Sequence, residues 1–279
     1  MLHPPPAHQA LLARRPYVLF LAGRFFGTLA NGAQAVVIGW EVYAIARRTM
    51  PEREAALLLG FVGLVEFLPV VALTLIAGET ADRYNRRLIL VLCYGTQLLT
   101  AAGLALRSAF GDGLWPVFAL AALFGASRAF FHPTASALGP MLVPAELLPR
   151  AIATKALAVQ LAAVAGPALG GLMCAVSPAV AYGACAALYG TAAFCAARVR
   201  SGAQPPFDRG RSRYAQIREG LGYVWHNKVV LGAISLDLFA VLLGGATALL
   251  PVFAREVLHV GPGGFGALRA APAVGALVV

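Results

Sequence analysis

Residues 55–106 decide the fold. They run AALLLGFVGLVEFLPVVALTLIA (55–77), then Gly78-Glu79-Thr80-Ala81-Asp82-Arg83-Tyr84-Asn85-Arg86-Arg87, then LILVLCYGTQLLTAAGLAL (88–106). Each apolar run has about the 20 residues that a helix needs to cross a bilayer. Between them lies a short island holding two acids and three arginines. A helix that is apolar all round has no water-facing side and calls for burial or lipid. The stretch therefore reads as two transmembrane helices joined by a charged turn.

The same pattern continues on both sides. Span one is 17–46, broken by Arg24, Asn31 and Glu41; span two is 55–77 and span three 88–106. Spans four to seven are 114–138, 151–176, 179–197 and 229–257. An eighth run begins near Gly264 and is still apolar at Val279, so it reads as a partial span. Composition agrees. The chain has 279 residues, 59% hydrophobic and 12% charged, against roughly 25% charged in an average soluble domain. Half the usual charge is too little to coat a water-soluble surface. Cys93, Cys174, Cys185 and Cys195 all lie in apolar stretches, with no CxxC pair and no histidine at ligand spacing. They read as small buried residues, neither disulfides nor metal ligands.

The net charge is +10. The basic residues sit in clusters between apolar runs, as they do in cytoplasmic loops, and nucleic acid is not an expected partner. With the N-terminus inside, fourteen Lys and Arg fall in inside segments and five outside. That asymmetry predicts a multi-pass protein of the cell inner (plasma) membrane with a cytoplasmic N-terminus. Residues 1–16 form the cytoplasmic tail, since no compact apolar core with a cleavage site is present. Residues 17–198 form a six-helix unit. Residues 199–228 are a cytoplasmic linker opening on Ser201, Gly202, Pro205 and Pro206. Tyr214, Ile217, Leu221, Val224 and Trp225 then recur at helical spacing and predict an interfacial amphipathic helix. Trp40, Trp115 and Trp225 fall near expected interfaces. Residues 229–279 hold the last span and a half.

An ionisable side chain at mid-bilayer costs about 2.5–3.5 kcal/mol, so each one calls for a partner or a wet cavity. The candidates are Arg24, Glu41, Glu66, Arg128, His132, Asp237 and Arg269. Arg128 is central in span four. It is expected to face a central cavity, binding an anionic group or biasing the protonation of Glu66. Glu66 and Asp237 are the proton-carrier candidates. Arg24 either lines the cavity or snorkels to the interface. Asn31 and Gln34 share a helix face. For each charge the alternative is a structural polar pair. Glu41 is expected at the outer interface. His132 is expected to satisfy a backbone group freed by Pro133, with a proton relay as the alternative. No catalytic constellation, zinc pattern or phosphate-binding loop is present, so neither an enzyme nor a cofactor or metal is expected.

The charged island resembles the loop signature of the major facilitator superfamily, Gly-x-x-x-Asp-Arg-x-x-Arg-Arg/Lys, at the same place after span two. The resemblance makes Gly78, Asp82, Arg83, Arg86 and Arg87 a conformational latch, with Gly78 admitting a neighbouring helix. In span five, Gly166-Pro167-Ala168-Leu169-Gly170-Gly171 resembles the family's Gly-Pro-x-x-Gly-Gly element, associated with exporters; Ala162 stands where the fuller pattern has glycine. It predicts a packing and bending site at Gly166, Pro167, Gly170 and Gly171. The span-four end, His132-Pro133 followed by Leu142-Val143-Pro144-Ala145-Glu146, is similar to a bacterial branch of that superfamily that includes the enterobactin exporter. The family fold is all-α, a polytopic bundle of two six-helix halves built from inverted three-helix repeats. Here the first half is whole and the second incomplete, as if C-terminally truncated. The resemblance implies a proton-coupled exporter of a small organic compound, working by alternating access, with small molecule, protons and lipid as partners. A nutrient importer of the same fold and a non-transporting membrane fragment are the other readings.

Overall fold

The computed structural model describes residues 11, 13–111, 113–200, 222–243 and 249–278. Every regular element among them is helical. Six long helices come first: α1 (Arg15–Ala46), α2 (Glu52–Arg83), α3 (Arg86–Phe110), α4 (Trp115–Met141), α5 (Leu148–Val176) and α6 (Pro178–Arg198). Then come α7 (Lys228–Leu243) and α8 (Pro262–Val278). The expected seventh span is α7 followed by Leu250–Val252 and a π turn, Phe253–Val257; residues 244–248 lie outside the described set. So does most of the expected amphipathic helix, of which 222–226 are helical.

Local chemistry sets the helix starts. Proline stands in the first turn of α1, α4, α5 and α6, where its missing N–H costs nothing. Asn85 caps α3, its side chain accepting from the backbone N–H of Arg87 (3.0 Å) and Leu88 (3.4 Å). The charged island is mostly helix, not loop. Helix α2 runs on to Arg83, leaving Tyr84 and Asn85 as the link. The pair Glu79–Arg83 (2.9 Å) has the i, i+4 spacing that supports such an extension, while Asp82–Arg86 (3.3 Å) bridges the link from α2 to α3.

Packing repeats between the halves of this unit. Helix α1 packs on α5 and α6, α4 packs on α2 and α3, and α3 packs on α6. Exchanging α1–α3 with α4–α6 maps that set onto itself, as two interlocked three-helix repeats require. Buried tyrosines tie the helices together. Tyr17 donates to the Ala151 carbonyl (2.7 Å) and Tyr94 to the Gly23 carbonyl (2.8 Å). All four cysteines are buried and free.

Among the described residues, four segments are long and apolar enough to cross a membrane: α2, α3, α5 with the 3₁₀ turn before it, and α6. Helix α2 turns Leu57, Phe61, Leu64, Leu68, Val71 and Leu75 outward, a face suited to lipid and not to water. Helices α1 and α4 are as long but carry Arg24, Asn31, Gln34, Arg128 and His132 within them. Their polarity is directed inward, as described next. Trp115 and Trp225 are exposed. Trp40 instead stacks on Phe265, centroids 6.2 Å apart.

Helix α5 is the seam between the six-helix unit and α8. A Cβ at Gly170 would lie 2.6 Å from the Cα of Ala33 in α1. On another face of α5, one at Gly171 would lie 2.9 Å from the Cα of Gly266 in α8. The Gly166–Gly171 element therefore lets α5 touch two helices at backbone distance.

Candidate functional site

Helices α1, α2, α4 and α8 enclose a cavity of about 470 Å³. Asn31 and Gln34 come from α1, Glu66 from α2, Arg128 and His132 from α4, and Arg269 from α8. Ile38, Phe67, Val70 and Phe124 supply apolar wall. Helical spacing puts Asn31 with Gln34, and Arg128 with His132, on common faces. Gly125 makes the centre possible. It packs directly on the backbone of Glu66, so α2 and α4 touch there. Arg128, one turn further along α4, reaches the Glu66 carboxylate and forms an ion pair with it. The two side chains remain 36% and 25% exposed, so the pair is open to the cavity. Gln34 is different. It is 1% exposed, and neither amide atom has a hydrogen-bond partner among the described residues.

Two smaller cavities continue from this one. The first, about 190 Å³, shares Asn31, Arg128 and His132 and adds Arg24 and Gln97. The second, about 20 Å³, lies among Arg24, His132, Ser136 and Lys155. The series runs toward the end of the bundle that holds Arg83–Arg87, since Lys155 is two turns into α5 from that end. Arg24 lies over the Phe131 ring, 4.8 Å from its centroid. His132 lines all three cavities. This corrects the expectation that it serves the backbone opened by Pro133. The side chain recorded on the backbone beside Pro133 is Thr134, which donates to the Phe130 carbonyl (2.7 Å).

The opposite end is bridged. Trp40 stacks on Phe265. Tyr43 and Arg47 both donate to Glu256, at 3.1 and 3.2 Å. That bond pushes the Arg47 guanidinium further up from its already basic value. Nearby, Glu41 sits where expected along α1 but is buried, 6% exposed. It pairs with Arg107 and accepts from Ser108 (2.7 Å) and Tyr182 (2.9 Å), joining α1, α3 and α6.

The signature residues brace the other end. Arg86 donates to the Ala81 carbonyl (3.0 Å) and lies 3.0 Å from the Met141 sulfur, while Arg87 donates to the Ala197 carbonyl. These contacts tie the start of α3 to the ends of α4 and α6, within the six-helix unit. Gly78 departs from expectation: nothing lies within 4 Å of where its Cβ would be. The buried face of α2 at that level is Ala77 and Ala81, one position round the helix. Asp237 is exposed on α7 and lines none of these cavities. The structure thus gathers Arg24, Asn31, Glu66 and Arg128 and leaves Asp237 apart. It brings Gln34, His132 and Arg269 to the same cavities and adds Lys155, which the charge count places in a cytoplasmic segment.

Known proteins resemble this chain. It is 27% identical over 252 residues to "Multidrug efflux pump Tap" of Mycobacterium tuberculosis (strain ATCC 25618 / H37Rv), covering 86% of this chain and 58% of that one. It is 29% identical over 247 residues to the protein of that name in Mycolicibacterium fortuitum, covering 81% and 56%. The chain therefore spans less than two thirds of the length of these relatives. Among solved structures, a D-xylose–proton symporter superposes with a TM-score of 0.63 at 12% identity, covering 95% of this chain and 66% of the other. The POT family transporter PepTSo gives 0.61 at 14%, covering 93% and 54%. At such identities the likeness is one of fold, an all-α bundle. The sequence description of the Major Facilitator Superfamily matches from residue 20 to residue 279, and this chain belongs to that superfamily.

Proposed function

We propose that the protein is a secondary active exporter of small organic compounds, coupled to protons and working by alternating access. In this reading it lies in the cell inner membrane with its N-terminus in the cytoplasm, and 229–279 begin a second bundle. The observation that carries it is the Glu66–Arg128 pair, open to a cavity at mid-helix depth. A charge at that depth is costly unless paired or wetted. Protonating Glu66 would neutralise it and release Arg128 into the cavity, so proton binding changes what the cavity can hold.

Other features support the same cycle. The cavities lead toward the arginine-rich end, which the charge asymmetry makes cytoplasmic. The far end is bridged by Trp40, Tyr43 and Arg47, as suits a state closed to the outside. Asp82, Arg83, Arg86 and Arg87 would latch the two bundles when the cytoplasmic side closes, and Gly166, Pro167, Gly170 and Gly171 provide the seam about which they rock. Export is favoured over import because the relatives are named as efflux pumps. The branch that includes the enterobactin exporter is the proposed place within the superfamily, on the resemblance of His132-Pro133 and Leu142–Glu146.

The test uses everted membrane vesicles offered anionic, neutral and cationic aromatic solutes. Solute accumulation that collapses with a protonophore, and is lost in Glu66→Gln, is expected. Accumulation indifferent to the protonophore would overturn proton coupling. No accumulation of any solute by the unaltered protein would overturn transport.

A further inference from the structure

The charges lining the three cavities do not balance. Among the described residues, Arg24, Arg128, Lys155 and Arg269 face a single carboxylate, Glu66. Glu66 is taken up by Arg128, and Arg24, Lys155 and Arg269 make no ion pair among the described residues. Cationic groups held in a low-dielectric wall without counter-charge are unfavourable, and each favours a bound anion. Lined along one route, they also concentrate anions toward the central cavity.

Two further observations bear on what that anion is. Gln34, almost wholly buried, offers an amide donor and acceptor that nothing among the described residues meets. Buried polar groups without partners are rare and call for a ligand or water. Phe67, Phe124, Ile38 and Val70 leave much of the remaining wall apolar. The volume, about 470 Å³, is within the range of small-molecule sites.

We infer that the transported class is amphipathic organic anions. The acidic group is held by Arg269, a polar substituent is read by Gln34 with Asn31, and a flat apolar body lies against Phe67 and Phe124. This rests on the transport reading above and names the substrate class of the same cavity. It assigns Arg269 a role distinct from that of Arg128. Arg128 answers to the proton on Glu66, while Arg269, entering from α8, answers to the solute. An anion bound between α8 and α1 would then draw the two sides of the cavity together.

The experiment is calorimetric titration of the purified, detergent-solubilised protein with three matched probes: 2-naphthoate, 2-naphthamide and 2-naphthylmethylammonium. The carboxylate is expected to bind at least about tenfold tighter than either other probe, a difference of about 1.4 kcal/mol. In Arg269→Gln that preference should fall to near unity, and in Arg269→Lys it should persist. Equal binding of all three, or tighter binding of the ammonium, overturns the inference even if no variant folds. So does an Arg269→Gln protein that keeps the preference. Vesicle flux separates this inference from the one it rests on. Flux of the ammonium without the carboxylate leaves transport standing and sinks the anion class. Carboxylate binding without flux of any probe keeps the anion site and sinks transport.

Discussion

Glu41–Arg107 and Glu66–Arg128 are carboxylate–arginine pairs that each join two helices, and they are built in opposite ways. Glu41 and Arg107 have side chains 8% and 7% exposed, and Ser108 and Tyr182 add two more bonds to the carboxylate. Glu66 and Arg128 have side chains 25% and 36% exposed, with a cavity on one side and Arg269 across it. The first pair is sealed among α1, α3 and α6. The second stands where a proton or solute can reach it. Identical chemistry thus makes a staple where burial saturates it and a switch where a cavity leaves it open. A buried pair resists ionisation changes because losing either partner strands the other. An open pair can change state at modest cost.

The largest test of this contrast is Glu41→Ala. Arg107 Nε and Nη1 already lack partners among the described residues, so the loss strands a buried guanidinium. A stability loss of about 3–5 kcal/mol is expected from thermal or denaturant unfolding in detergent. A loss below about 1 kcal/mol would place Glu41 with the exposed pairs and erase the distinction. Tyr182→Phe comes next. It removes one bond to the same carboxylate and should cost about 1.5–3 kcal/mol, with proton-coupled flux per folded molecule unchanged. Flux that fell with intact folding would mean that the staple is part of the switch.

Glu66→Gln should show the reverse pattern. Stability should move by about 0–1 kcal/mol, while proton-driven flux falls at least about tenfold, or about 1.4 kcal/mol. A destabilisation like that of Glu41→Ala would show that Glu66 is a staple too. The smallest effect belongs to Arg47→Ala, at the bridged end. Arg47 and Glu256 are 29% and 26% exposed, so about 0–1 kcal/mol is expected from the same unfolding measurement. A larger loss would make the Tyr43–Arg47–Glu256 contact a third kind of pair, buried in effect though open by area.

Much of the fold was legible along the chain. The expected spans correspond to α1–α6 within a few residues, because length and greasiness are local properties. The signature after span two was legible as charge in a fixed order. Its structure was less so. Gly78 meets nothing, and α2 runs through Gly78–Arg83, its last turn supported by the Glu79–Arg83 pair. The site was legible in part. Glu66 and Arg128 were paired as suspects because two opposite charges at mid-span depth need partners. Glu41 passed as interfacial because its distance along α1 says nothing of burial. Asp237 had the same credentials as Glu66 and lines no described cavity.

Amino-acid order by itself determined that this is a polytopic helical membrane protein, where its helices run and which family it belongs to. Those follow from the hydrophobic length needed to span lipid and from charged turns that water must hold. Only the tertiary structure decided which polar residues meet. The crossing points are set by backbone contacts at Gly125, Gly170 and Gly171. Helix rotation about those points turns Gln34, His132 and Arg269 to the cavity and Glu41 into the dry interior. Rotation is a property of packed pairs of helices, and no single run of sequence contains it.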